Sequence, residues 1–414
     1  MSVIRPFKGL RPVENMVEEF SCPPYDVLEE EEVKEIVSKH PNSFLRVTRA
    51  EVEFNEDIDP HSEVVYKKAK ENLDKFKETG VLMEEEKPAL YLYRETWQGH
   101  SQTGIFATFS VDEYQKGLIK KHELTRQDKE DDRTKHIMIL EAQTGPVFLT
   151  FKSKEEIKDL INKGIEAARK IYDFTDEKEV HHELWVLTDE ELIEKLQKAF
   201  ESVEALYIAD GHHRAAAASR TKEILKSKNP AHTGNEEYNF FMAVVFPHDE
   251  LKILDYNRVV KDLNGLNDEE FMKKVEEKFE ISEAPESPYK PKSRHEFGMY
   301  INKKWYVLKA KPEIVNENDP VEQLDVYILQ NYLLDPILGI ENPRKDPRIH
   351  FLGGIRGVKA LEDWIDGKNW KVAFSMYPTS IEELMAVADD NKTMPPKSTW
   401  FEPKLRSGLL IHEI

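Results

Sequence analysis

The segment from Ala205 to Ser219 holds the densest chemistry in the chain. An apolar run leads into Asp210, Gly211, His212, His213 and Arg214, and an alanine-rich helical pattern follows. Gly211 permits a turn that a β-carbon would forbid. Such a turn sets His212, His213 and Arg214 at a helix N-terminus, where backbone N–H groups and the helix dipole favour an anion. Arg214 adds a planar fork of donors suited to phosphate. The small residues Ala215 to Ala218 let the helix pack closely on a neighbour. Strand, glycine turn, basic cluster and helix together describe a phosphate cradle. The competing reading is a capped helix whose two histidines happen to be exposed. Zinc is the weaker reading, because adjacent histidines rarely point at one ion and no spaced cysteine or carboxylate set accompanies them. No metal ligand is assigned. The other pair, His181 and His182, opens a strand-like run in which neighbours face opposite sides, and reads as structural.

Two further runs carry candidates. Lys120, Lys121, His122, Glu123, Leu124, Thr125 and Arg126 precede Asp131, Asp132 and Arg133. Glu123 sits among basic residues that keep it ionised, and a carboxylate so placed can accept a hydroxyl proton as a general base. The bland alternative is a charged turn before a helix. Near the C-terminus, two prolines stiffen the approach to Lys397, Ser398 and Thr399, and Lys404 and Arg406 follow. These are candidate phosphate-binding positions, weighed against a rigid connector that packs Trp400 and Phe401. Cys22 to Val27 is a similar rigid turn. Phe351 to Gly357 resembles strand–turn–helix but misses the spacing of a dinucleotide loop. No Walker A loop, nucleophile elbow, paired-histidine zinc helix or EF-hand loop is present.

The elements that must position these residues alternate. Helical periodicity covers 28–39, 60–79 and 153–171; the second places Val65, Ala69, Leu73 and Phe76 on one face. Thr188 opens a fourth helix, with Glu191 completing a capping box. Strand-like runs cover 89–94, 104–109, 146–151, 183–187, 205–209 and 240–246. The runs 297–301 and 305–308 flank a hairpin-like turn. The pattern predicts a mixed α/β or α+β architecture. The Pro- and charge-rich stretch 283–294 is the best linker or long loop, and the acidic stretch 53–59 a surface turn.

Composition narrows the function classes. A chain of 414 residues, at roughly 100–200 per domain, has two or three domains. Its formal charge of −20 repels a phosphate backbone and argues against broad duplex binding. One cysteine excludes an internal disulfide and suits a reducing cytosol. The N-terminus lacks the apolar core of a signal peptide, and no apolar run reaches the ~18 residues of a membrane helix. A cytoplasmic protein is expected. Charged residues make up 33% of the chain and lie mostly in Glu/Lys-rich helical stretches that read as solvated faces. Cations gather at 120–126, 212–214 and 397–406, which suits a mononucleotide better than a duplex.

The run Asp210–Arg214 resembles the phosphate turn of the ParB/sulfiredoxin-like fold, and the full pentapeptide resembles that of the free L-serine kinases of that superfamily. There a His-Glu pair precedes the turn, with its glutamate the proposed base; His122 and Glu123 match it here. Over nearly its whole length the chain is similar to a large, mainly bacterial and archaeal family catalogued only as a domain of unknown function. The matching segments are Arg5 to Pro12, Pro23 to Val27, His122 to Thr125 with Asp132 and Arg133, Asp210 to Arg214, and Met394 to Thr399 with the ending from Gly408.

The resemblance implies a ParB/sulfiredoxin-like phosphate-binding core over 111–260, an N-terminal α/β segment over 1–110 and a C-terminal α/β domain over 261–414. It also implies a nucleotide-dependent phosphotransferase acting on a small hydroxylated metabolite such as free L-serine, with ATP or ADP and Mg²⁺. Asp210, Gly211, His212, His213, Arg214, Lys397, Ser398 and Thr399 would hold the nucleotide. Glu123, His212, His213 and Arg214 would act in catalysis, and Asp210 would orient a histidine or meet Mg²⁺ through water. The alternatives are a non-catalytic nucleotide-binding regulator of the ParB type, possibly DNA-associated, and a nucleotide hydrolase.

Overall fold

The computed structural model describes residues 2–55 and 57–414. The chain forms two units, residues 1–251 with 403–414, and residues 252–402. Both mix helices and strands, as the alternating pattern predicts.

The first unit is built on an eight-stranded mixed sheet. Its order is Ile119–Lys120, Leu206–Asp210, Val147–Phe151, Phe240–Pro247, His100–Ser110, Leu90–Trp97, His181–Leu187 and Arg169–Thr175. The strand Leu206–Asp210 runs parallel to Ile119–Lys120 and antiparallel to Val147–Phe151. Its register shifts between Ile208 and Asp210, so the strand leaves the ladder where the candidate turn begins. On one face, helices Glu155–Ala167 and Glu190–Phe200 pack Ile157, Ile161, Leu196 and Phe200 against Leu92, Leu149, Ile208 and Val245. Burying each such side chain contributes about 1.5–3 kcal/mol.

A second core gathers short N-terminal helices around the helix Glu63–Glu78. That helix buries Val65, Ala69, Leu73 and Phe76, the face its 3.6-residue period predicts. Phe20 meets Phe44 and Phe76 at ring-centroid distances of 5.1 and 5.2 Å. Two element ends differ from the sequence pattern. The helix expected over 153–171 stops at Ala167, because Arg169–Thr175 is claimed by pairing with His181–Leu187. The cap of the next helix is Asp189 rather than Thr188; its carboxylate accepts the Leu192 N–H at 3.0 Å.

The second unit holds a six-stranded sheet, all of whose pairings are antiparallel. Strands Glu296–Ile301 and Lys304–Ala310 form the expected hairpin, turned by Asn302 and Lys303 at φ of 52° and 63°. The stretch 283–294 is a long loop within this unit, pinned by the buried Tyr289, whose hydroxyl donates to Glu296. The strand Ile349–Gly353 leads through a 3-10 turn into the helix Lys359–Lys368. Asp325 lies buried in this unit; its Oδ1 accepts the His295 N–H at 2.8 Å and its Oδ2 has no partner. Burial pushes its carboxyl up to about 7.

Candidate functional site

The turn after Leu206–Asp210 takes the form its residues require. Gly211 sits at φ 91°, and a β-carbon there would stand 3.4 Å from the Val147 Cα. The 17-residue helix His212–Lys228 starts at once, with Ala215 to Ala218 all buried. The Arg214 and Ala215 N–H groups bond back to the Gly211 carbonyl at 2.9 and 3.1 Å. Those of His212 and His213 have no acceptor among the described residues, as expected of the first positions of a helix. Asp210 braces the turn: Oδ1 accepts the Gly211 N–H at 2.8 Å, and Oδ2 lies 3.3 Å from the Lys404 ammonium. Burial pushes this carboxyl up, but Lys404 and Arg214 outweigh it and hold it well below the ordinary range.

The His122–Arg126 segment reaches the turn through two backbone donors. The His122 N–H donates to Nε2 of His212 at 3.4 Å, and the two rings stand edge-to-face at 4.4 Å. The Arg126 N–H donates to Nε2 of His213 at 3.1 Å. Each bond needs a neutral imidazole with its proton on Nδ1. Burial supplies that condition. It drives His122 down to about 4 and His212 well below its ordinary value, and it lowers His213 as well. At pH 7 Arg214 therefore holds the one permanent positive charge within 210–214. The three-residue basic cluster expected from the residue types is narrower than it looks, because burial discharges its histidines.

Arg214 is clamped rather than loose. Its Nη1 donates to the Pro146 carbonyl at 2.7 Å and its Nη2 lies 3.5 Å from Asp26. The Tyr25 ring centroid lies 5.7 Å from this guanidinium and 3.9 Å from that of Arg133. A cavity of about 30 Å³, enough for a water, lies among Tyr25, Thr48, Gly145, Arg214 and Ser407. A larger cleft of about 370 Å³ shares Tyr25, Thr48, Arg133 and His136 with it, and adds Arg49, His61, Tyr66, Lys129 and Asp132.

The structure thus brings His122 and Asp210 to Arg214 together. Glu123, next in the chain to His122, is half-buried in a bend. Lys397, Ser398 and Thr399 belong to the second unit. There the Lys397 carbonyl accepts from Arg258 at 3.0 Å, and the Ser398 hydroxyl donates to Pro395 at 2.6 Å. Arg406 is buried, donating to Ser21 and paired with Asp176 and Glu177 at 3.0 and 3.1 Å. Lys404, not Arg406, is the cation that meets the turn. His182 is structural, as read: Nδ1 bonds the Tyr93 hydroxyl at 2.7 Å and Nε2 lies 3.2 Å from Asp176. Asp173, His181 and Glu183 converge, but the Lys170 ammonium lies between 2.6 and 2.7 Å from both carboxylates. Sequence reasoning placed Tyr25, Asp26 and Arg133 in turns and in segments that match the family, but gave them no role at the site; those matching segments were the available signal.

No curated protein matches the chain. Among the solved structures that resemble it distantly are three of different description. A free serine kinase in complex with AMP is 16% identical, with 72% of this chain and 86% of that one covered, at a TM-score of 0.35. A conserved hypothetical protein from Pyrococcus furiosus is 14% identical, with 73% and 92% covered, at 0.35. SbnI from Staphylococcus aureus, truncated at its C-terminus, is 11% identical, with 72% and 84% covered, at 0.36. Residues 4–327 match the family model described as "Protein of unknown function (DUF1015)". The segments that carried the resemblance lie largely within that span, and the chain belongs to the DUF1015 family.

Proposed function

We propose that this protein is a nucleotide-dependent phosphotransferase that phosphorylates a small hydroxylated metabolite. The observation that carries the reading is the turn itself. A left-handed glycine delivers the start of a 17-residue helix, two backbone N–H groups without acceptors among the described residues and the clamped Arg214 to one point. Phosphoryl transfer depends mainly on positioning and on stabilising charge, and this turn provides both. The nucleotide's phosphates sit on the N–H groups of His212 and His213 and on Arg214. Neutral His122 and His212 pack behind the turn and fix it.

In the reaction the acceptor oxygen forms a bond to the terminal phosphorus, and the bond from phosphorus to the nucleotide's bridging oxygen breaks. The hydroxyl proton passes to the carboxylate of Glu123. Mg²⁺ comes with the phosphate oxygens of the nucleotide, because both Asp210 oxygens already face donors. Lys404 completes the cationic surroundings. The motif resemblance makes free L-serine the first acceptor to try, and ATP and ADP the donors. Against a DNA-associated role, two cations of the helix are paired with carboxylates: Arg220 with Asp131 and Lys222 with Asp112.

The test is incubation with ATP or ADP, Mg²⁺ and a panel of hydroxy amino acids, read by phosphorus NMR. A phosphomonoester is expected from wild type, and none from Arg214→Ala or Glu123→Ala. Activity that survives both substitutions overturns the assignment.

A further inference from the structure

The cleft of about 370 Å³ has the size of a small-molecule site and a wall that the turn does not use. Its organising group is Asp132, a carboxylate in the helix Gln127–Leu140 with 5% of its side chain exposed. Asp132 accepts from the Tyr66 hydroxyl at 2.7 Å and from Arg133 Nε at 2.8 Å, and its Oδ1 lies 3.0 Å from Nδ1 of His61. Burial pushes this carboxyl up, but Arg133 and Tyr66 outweigh it and keep it ionised. An ionised carboxylate only accepts, so the proton of a neutral His61 resides on Nδ1. The Nε2 lone pair is then available. The side chain is 52% exposed, and Nε2 has no partner among the described residues.

A buried acid holding an exposed imidazole by one nitrogen leaves the other as a fixed acceptor. Two donors line the same cleft: the Lys129 ammonium and Nη1 of Arg133, neither with a hydrogen-bond partner among the described residues. We propose that the cleft binds a small carboxylate bearing two hydroxyls, one donating to Nε2 of His61 and the other left for transfer, with its carboxylate lying against Lys129 and Arg133. This names the acceptor class of the phosphotransferase; it rests on that reading for the ligand's fate and on the cleft alone for binding. His61 is then a specificity-determining residue, and Asp132 and Tyr66 position it. A purely structural His61 would only fasten the segment 58–62 to Asp132.

The test uses the full chain labelled with nitrogen-15, with glycerate and propanoate as probes that differ by hydroxyl groups. At pH 7.5 the imidazole spectrum of His61 shows the Nδ1–H tautomer. Glycerate moves its Nε2 resonance and binds at least tenfold more tightly than propanoate. His61→Ala removes that ratio, His61→Gln restores part of it, and Lys129→Met weakens both probes equally. Equal binding of the two probes, no binding of either at millimolar concentration, or a ratio unchanged in His61→Ala overturns the proposal. The two readings fail separately. Glycerate bound at His61 in a protein that phosphorylates neither glycerate nor any hydroxy amino acid of the panel, with ATP or ADP, removes the phosphotransferase and leaves the site. Phosphoryl transfer with no His61-dependent preference removes the site and leaves the phosphotransferase.

Discussion

Replacing Gly211 by alanine isolates what the turn contributes. The residue sits at φ 91° in the left-handed region, where a β-carbon costs about 1–2 kcal/mol. The added methyl would stand 3.4 Å from the Val147 Cα and 3.6 Å from its Cγ1, ordinary contact that adds little. The whole loss of stability should therefore stay near the backbone figure of about 1–2 kcal/mol. At about 2–4 °C per kcal/mol for a unit of this size, the midpoint falls by about 2–8 °C. Gly99 is the matched control: its φ is 76° and nothing lies within 4 Å of its absent β-carbon. Gly99→Ala should lose the same stability. On the proposed function wild type should be thermally stabilised by ADP with Mg²⁺, and only Gly211→Ala should also lose that stabilisation, because relaxing the turn redirects the His212 and His213 N–H groups. Gly211→Asn, which tolerates this region better, should fall between. Differential scanning fluorimetry with an ADP titration reads all three variants. If Gly211→Ala keeps its ADP response, or costs more than twice what Gly99→Ala costs, the geometric account of the turn is wrong.

Other outcomes follow from the same contacts. Arg214→Ala leaves the Pro146 carbonyl without its donor and should cost about 1–3 kcal/mol in urea unfolding while abolishing ADP binding. Arg214→Lys, which keeps the charge but not the fork, should retain weak binding in calorimetry. Burial lowers His122 to about 4 and His136 to about 3, so the unfolded chain takes up protons that the folded one refuses. Stability should be full above about pH 6.5 and fall as pH drops towards 4, with a shallower fall in His122→Asn, measured by urea midpoints. Asp325 has the opposite sign: with its carboxyl raised to about 7, the stability it contributes is present in acid and lost between about pH 4 and 7. Asp325→Asn should therefore stabilise the second unit at pH 8 relative to wild type, and much less at pH 5, in the same assay.

The turn at 210–214 was legible because its parts are consecutive. A glycine after an apolar strand and four alanines after it form one local pattern, and the structure builds that strand, turn and helix. The helix Glu63–Glu78 was legible for a similar reason, since its buried face is a period. The cleft was not. His61 and Tyr66 lie 71 and 66 positions from Asp132, and no spacing rule links them. Lys404 lies 194 positions from Asp210. The charge state of the histidines was hidden for a different reason. A histidine beside an arginine reads as basic, but burial sets its protonation, and burial is a property of the packed whole. The helix at 190–200 shows the smallest kind of miss, two competent capping residues side by side with the second one used.

The chain leaves the first unit at Leu251 and returns at Pro403. On return it pairs Ser407 with Cys22 and Ile411 with Leu10, and it brings Lys404 to Asp210. During synthesis, the strand and helix of the turn are therefore made more than a hundred residues before the cation that meets their carboxylate. Until then Asp210 faces Arg214 without its second counter-charge, and the N-terminal segments around Leu10 and Cys22 lack a partner strand. While residues 252–402 are being translated, the first unit lacks these three contacts. The surroundings of the 210–214 turn are thus completed only when Pro403–Ile414 has been made.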